Sequence, residues 1–96
     1  MLNKENKDLC WRVLSKYGCQ GQMMMVIEEC SELQKAVCKI NRDDGHATAK
    51  LYADFREELV DTIVMCQQMV LMLQMGTEEI NRKAQEKLLR ALGVEQ

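Results

Sequence analysis

Carboxylates in two short acidic segments are the residues of this chain best suited to chemistry. The first segment is Glu28-Glu29-Cys30-Ser31-Glu32, and the second is Glu58-Leu59-Val60-Asp61. Residues three or four apart share one face of a helix, so each segment sets carboxylates side by side. No His or Cys stands at chelating spacing beside them. An oxygen-only ligand set of this kind favours Mg²⁺, with Mn²⁺ as a possible substitute.

Both acidic segments interrupt helical faces that are otherwise largely apolar. Glu29 shares its face with Val26 and Leu33, and Glu58 shares its face with Phe55. If these helices pack together, two carboxylates at 4 Å repel by roughly 4 kcal/mol at an effective dielectric near 20. A small domain has only about 5–15 kcal/mol of stability, and a bound cation removes the repulsion. The pattern therefore predicts one metal site built from two helices.

Glu-Glu-x-x-Glu followed, after the 25 residues 33–57, by Glu-x-x-Asp resembles the MazG-type all-α nucleoside triphosphate pyrophosphatases. That superfamily also contains dimeric dUTPases, dCTP pyrophosphatases and phosphoribosyl-ATP pyrophosphohydrolases. The resemblance covers roughly residues 20–92. It implies Mg²⁺-dependent cleavage of an NTP or dNTP between the α and β phosphates, which releases the monophosphate and pyrophosphate.

The resemblance also implies roles for individual acidic residues. Glu29, Glu32, Glu58 and Asp61 match the acids that hold Mg²⁺ in that family. Glu28 matches the first Glu of the motif, whose family role is an additional metal ligand or a group that orients the attacking water. Glu28 is therefore a candidate catalytic residue, and Glu28 or another acid could take the proton of the attacking water.

Candidate substrate contacts lie outside the acidic segments. Lys83, Lys87 and Arg90 follow one another at spacings of four and three, which gives one basic helical edge for phosphate oxygens. Basic residues on the last helix often touch phosphate in the resembled family. Gln22 lies two turns before Glu29 and could read a base edge by hydrogen bonds, and Trp11 is the one indole that could stack on a base.

The apolar spacing of three and four and the absence of Pro predict an all-α, four-helix domain that spans residues 1–96. A glycine-bounded turn at 18–21, a polar segment at 41–46 and Gly76 should separate the helices. The predicted helices are 3–17, 22–40, a long third helix over 47–75, and a fourth from Thr77, as N-cap, to Gly93.

Apolar residues at helical spacing predict which sides of the first two helices face the core. On the first helix these are Leu9, Val13, Leu14 and Tyr17. On the second helix they are Met23, Val26, Ile27, Cys30, Leu33, Val37 and Ile40. Cys30, Cys38 and Cys66 are expected to pack as small core residues. His46 is expected to be an ordinary loop residue.

The stretch Leu59–Met75 is apolar nearly all round its helix, so it needs covering on every side. We therefore expect a homo-oligomer, a dimer or a tetramer, with the third helices at the interface. Five cysteines without a close C-x-x-C pair, and no predicted signal peptide or membrane span, indicate a cytoplasmic protein. The net charge of −2 and scattered basic residues give no electrostatic attraction to nucleic acid.

Three alternatives are open at this point. A non-catalytic helical oligomerisation or adaptor module would carry the same acids facing solvent. A phosphoribosyl-ATP pyrophosphohydrolase would share the acids and differ in its substrate contacts. A di-iron bundle needs Glu-x-x-His pairs on two helices, and the single histidine, His46, has no Glu three residues before it.

Overall fold

The computed structural model describes residues 1–42 and 48–94, and these form four helices without a strand. The helices are α1 (Lys4–Tyr17), α2 (Cys19–Arg42), α3 (Ala49–Met72) and α4 (Thr77–Ala91). The predicted all-α class is confirmed for the described chain. His46 and the predicted start of the third helix at Ala47 lie outside the described residues.

A single residue separates α1 from α2. The Asn3 side chain caps α1 by accepting a hydrogen bond from the Asn6 amide at 2.9 Å. Gly18 ends it with φ of 85°, where glycine has no steric penalty, and its N–H donates to the Leu14 carbonyl. Because only Gly18 lies between the two helices, α2 begins at Cys19. The prediction of a four-residue turn and a start at Gln22 was wrong.

The third helix is shorter than predicted. Both α2 and α3 contain 24 residues, so α3 is long but no longer than α2. It ends at Met72, and Gln74 takes the left-handed conformation with φ of 55°, a role that the sequence suggested for Gly76. Gly76 is instead the N-cap of α4, and Thr77 is its first helical residue.

An antiparallel pair, α2 and α3, forms the main body of the fold. Glu29 lies opposite Glu58 and Asp61, while further along α2 Ala36 lies opposite Leu51, so the two helices run in opposite directions. Helix α1 packs against both of them. Among the described helices, α4 has no Cα atom within 8 Å of a Cα atom of α1, α2 or α3.

The core of a single chain is small and partly polar. Its buried apolar residues in the described ranges are Cys10, Leu14, Ala36 and Met65, and its buried polar residues are Gln22, Gln67 and Gln68. The radius of gyration is 16.1 Å, against about 12.5 Å for a compact chain of this length. One chain therefore does not enclose its apolar surface.

Several residues predicted to lie in the core are exposed. Leu9, Tyr17, Met23, Ile27 and Val37 all lie on the surface, because α1 covers only part of the α2–α3 pair and α4 covers none of it. Cys38 and Cys66 are exposed as well, and the five cysteines are free. No helix within residues 1–42 and 48–94 has the length and apolar character to cross a bilayer.

Candidate metal centre

Three carboxylates converge between α2 and α3. Glu29 comes from the middle of α2, and Glu58 and Asp61 come from α3, one helical turn apart. One carboxylate oxygen from each residue lies within 4.8 Å of the other two. Glu29 and Glu58 are half-buried, while Asp61 is exposed at the edge of the group. The antiparallel packing of two acidic helices thus concentrates negative charge at one place.

Burial and mutual repulsion both act on these carboxyls. Desolvation raises the pKa of Glu29 above its ordinary value, and the charges of Asp61, Glu58, Glu28 and Glu32 raise that pKa further. Desolvation also raises the pKa of Glu58, with Asp61 and Glu32 as the leading charged neighbours. The folded protein therefore holds these carboxylates in a place that disfavours their charged form.

The geometry and chemistry of the three acids fit a hard divalent cation. Octahedral Mg²⁺ binds oxygen at about 2.1 Å, so ligand oxygens on opposite sides of the ion are about 4.2 Å apart. Adjacent oxygens around the ion are about 3.0 Å apart. The three carboxylate oxygens lie within 4.8 Å of one another, so rotation of their side chains can bring them to one ion. Glu29, Glu58 and Asp61 are the one such group of acids, His or Cys in the part of the chain that the structure describes.

Glu32 and Glu28 lie beside this group. The Glu32 carboxylate lies 3.6 Å from the Lys35 ammonium, three residues further along α2. Its charge still raises the pKa of both Glu29 and Glu58, so Glu32 borders the cluster without belonging to the three closest acids. Glu28 is exposed. Its charge raises the pKa of Glu29 and is not among the charges that raise the pKa of Glu58.

A cleft of about 140 Å³ adjoins the acids between α2 and α3. Its lining residues are Glu32, Lys35, Ala36, Lys39, Leu51, Asp54, Glu57 and Glu58. Sequence reasoning missed Lys35 and Lys39 as neighbours of the acidic site. The spacing 32, 35, 39 puts them on the face of Glu32, and that signal was available.

The two predicted base-binding residues lie in different surroundings. Gln22 is buried, with 7% of its surface exposed, near the start of α2. Trp11 is 46% exposed and lines a shallow depression together with Leu9, Arg12 and Tyr17. That depression consists of α1 residues only, and none of them lines the cleft beside the acids.

The predicted phosphate-binding residues Lys83, Lys87 and Arg90 are exposed on α4. Asn81, a further polar residue of α4, is exposed too. Since no part of α4 approaches α2 or α3 within 8 Å between Cα atoms, a single chain does not bring this basic edge to the acids.

Comparisons with known proteins add no family to these observations. No protein-family model, no curated protein and no solved structure matches the chain. The function of this protein is therefore inferred from its side chains and from the resemblance of its two acidic segments.

Proposed function

We propose that this protein is a cytoplasmic, Mg²⁺-dependent nucleoside triphosphate pyrophosphohydrolase of the MazG type, with Mn²⁺ as a possible substitute. The reaction adds water across the bond between the α and β phosphates of an NTP or dNTP and yields the monophosphate and pyrophosphate. The observation that carries the proposal is the convergence of Glu29, Glu58 and Asp61 from two helices. Burial and neighbouring carboxylates raise the pKa values of Glu29 and Glu58. A bound cation would relieve this repulsion between the carboxylates.

In this proposal Glu29, Glu58 and Asp61 would hold the metal, and Glu32 could join them when it is not paired with Lys35. A bound divalent cation supplies positive charge to phosphate oxygens and lowers the pKa of a water. Glu28 is exposed beside the cluster, where its carboxylate can accept the proton of the attacking water. No Ser, His or Cys nucleophile is required, and no covalent phosphoenzyme forms.

Lys35 and Lys39 give the cleft beside the acids two cationic side chains for the phosphates of the substrate. Lys83, Lys87 and Arg90 can contribute only if α4 reaches the site of another copy, because α4 lies away from α2 and α3 of its own chain. Trp11 offers an exposed ring for base stacking. Gln22 would need to leave its buried position to read a base.

Product analysis tests the reaction. The purified protein is incubated with each common NTP and dNTP plus Mg²⁺, and phosphorus products are identified by ³¹P NMR. We expect equal amounts of monophosphate and pyrophosphate. Orthophosphate with a nucleoside diphosphate would mean attack at the γ phosphorus and would reject the mechanism. Glu58→Gln, prepared in parallel, controls for a contaminating hydrolase.

Two outcomes would favour the other classes of function. Turnover of phosphoribosyl-ATP in preference to every NTP would identify the second pyrophosphohydrolase activity. No turnover of any nucleotide with Mg²⁺ or Mn²⁺ would leave the non-catalytic oligomerisation module as the better interpretation. The exposed apolar side chains of α1, α2 and α3 are compatible with that module as well.

We also propose that the protein is a homo-oligomer with α3 residues at an interface. Leu59, Val60, Cys66 and Leu73 are exposed along α3 and its C-terminal turn, in agreement with a helix that lacks a wholly polar face. Light scattering at micromolar concentration should give at least twice 11.1 kDa. Met69→Glu should dissociate the assembly, with circular dichroism as the check that the helices persist.

A further inference from the structure

The chain exposes much more surface than a compact protein of its mass. Its accessible surface is 7637 Å² at 11.1 kDa, whereas folded monomers of this mass expose about 5,700 Å². The excess is about 2,000 Å². A standard interface buries about 800 Å² on each partner, so the excess is enough for one or two interfaces. Two exposed apolar surfaces contribute to this excess.

The first surface is one side of α4. Ile80, Ala84 and Leu88 follow one another at intervals of four, which aligns them as an apolar stripe on one face of the helix. Leu88 is 65% exposed, and no residue of α4 is buried. An amphipathic helix of 15 residues gains most of its stability from packing of its apolar face, and α1, α2 and α3 of the same chain do not supply that packing.

The second surface is a groove of about 280 Å³ between α1 and α3. From α3, Val60, Val64 and Gln68 line it at intervals of four. From α1 and the residues before it, the lining residues are Leu2, Asn6, Leu9, Cys10 and Val13. Leu9 and Val60 are about half exposed, so the apolar floor of the groove faces solvent in a single chain.

A buried amide at the end of this groove lacks a hydrogen-bond partner. Gln68 is only 2% exposed, and its Nε2 donates to the Met65 sulfur at 3.7 Å. Its Oε1 accepts no hydrogen bond from any described residue. A buried carbonyl oxygen without a donor is unfavourable. A hydrogen-bond donor supplied by a molecule that binds in the groove would therefore stabilise its binding.

We propose that the apolar stripe of α4 docks into the α1–α3 groove of a second copy of this chain. The stripe and the α3 side of the groove have the same i, i+4, i+8 spacing and each extends about 12 Å along its helix, which suits ridges-into-grooves packing. Thr77 and Asn81 border the stripe and carry the donors that Gln68 Oε1 lacks. Two reciprocal dockings close a two-fold dimer, and the surface excess covers both.

Light scattering and circular dichroism on full-length variants test the proposal. Val60→Glu places a charge in the groove, and Leu88→Glu places one on the stripe. Both positions are more than half exposed, so each variant should keep its helix content. We expect each to lower the dimer fraction at least tenfold at equal concentration. Tyr52→Glu on α3 and Gln85→Glu on α4 add the same charge at exposed positions outside both surfaces and should leave the dimer unchanged.

Mixing the two variants gives the sharper result. A heterodimer of Val60→Glu with Leu88→Glu retains one intact junction, formed by the unmodified groove of one copy and the unmodified stripe of the other. The mixture should therefore regain dimer that neither variant forms alone. This outcome does not depend on nucleotide hydrolysis, so the assembly and the activity are tested separately.

Three results would overturn the proposal. The first is a wild-type chain that stays at 11.1 kDa at micromolar concentration, which would include the case of α4 folding back onto its own groove. The second is an oligomer that Met69→Glu dissociates while Val60→Glu and Leu88→Glu leave it intact. The third is a mixture of the two variants that regains no dimer.

Discussion

The α2–α3 pair and α4 both carry many charged side chains, but they place them in different surroundings. In the pair, Glu29 and Glu58 turn inward to a half-buried place where burial and like charges raise their pKa values. In α4, most of the charged residues are exposed, and the half-buried Glu86 pairs with Arg82 at 3.4 Å. Charge that a helix holds on its inner side is unfavourable and needs a compensating partner, while charge on an exposed side needs none.

The apolar residues of the two regions differ in burial. The pair finds part of its packing within the chain, with Ala36 and Met65 buried between the helices and their neighbours. Helix α4 finds none, and Leu88 and Leu92 remain largely exposed. A bound cation would compensate the acids of the pair, and a protein surface would cover the apolar side of α4.

The largest effect should come from neutralising the inward acids. Glu29→Gln, Glu58→Gln and Asp61→Asn keep side-chain size and remove charge, so each should lower kcat/KM for the hydrolysis of the best NTP by about 10²–10³-fold. Glu78→Gln, at an exposed acid of α4, should change it less than twofold. Equal activities of Glu58→Gln and Glu78→Gln would contradict a special role for the inward acids.

Thermal melts should distinguish the inward acids from the exposed acid Glu78 by their effect on Mg²⁺ binding, without an activity assay. Mg²⁺ at ten times its Kd stabilises the folded protein by about 1.4 kcal/mol through mass action, which raises the Tm of a domain of this size by about 6–11 °C. Glu58→Gln should lose most of this rise, and Glu78→Gln should keep it. Equal melting temperatures of the wild-type protein in Mg²⁺ and in EDTA would reject the metal site.

The fold was largely predictable because helix periodicity is a strong local signal. The predicted helix ends were wrong at the turns between α1 and α2 and between α3 and α4. Gly18 alone separates α1 from α2, and Gln74 rather than Gly76 takes the left-handed conformation after α3. The exposure of Met23 and Ile27 was not predictable, because an apolar stripe indicates that a helix seeks a partner and does not indicate whether that partner lies in the same chain.

The convergence of Glu29, Glu58 and Asp61 was predictable from the sequence, whereas the position of Glu32 beside Lys35 was not. Spacing places Glu58 one turn from Asp61, and two acidic helices joined by a short connection bring Glu29 to them. The burial of Gln22 depends on tertiary packing that no local pattern encodes. The position of Lys39 in the cleft beside Glu32 and Glu58 follows from helical spacing once the antiparallel register of α2 and α3 is known.

The pH dependence of the metal-free protein should expose the repulsion directly. The folded-state pKa of Glu29 is raised, so its protonated form favours folding: the contribution is present below the ordinary carboxyl pKa of 4.5 and is lost as pH rises through the raised value. In EDTA, Glu29→Gln should therefore melt a few degrees above the wild-type protein at pH 7, and the two should converge near pH 4.5. Mg²⁺ at pH 7 should reverse their order. A constant difference in Tm across this range would contradict the assigned cause.

The smallest effect compares cations of the two regions. Lys39 lines the cleft beside the acids, so Lys39→Met should raise the KM for the nucleotide about three- to tenfold, a modest change because exposed charge pairs contribute little. Lys87→Met on α4 should raise it less than threefold, and Lys4→Met, at the exposed start of α1, should leave it unchanged. Steady-state kinetics at saturating Mg²⁺ measures all three. A larger effect at Lys87 than at Lys39 would mean that α4 of a neighbouring copy carries the main phosphate contact. The α2–α3 pair would then depend on α4 for its substrate, and the contrast between the two regions would be one between two halves of a shared site.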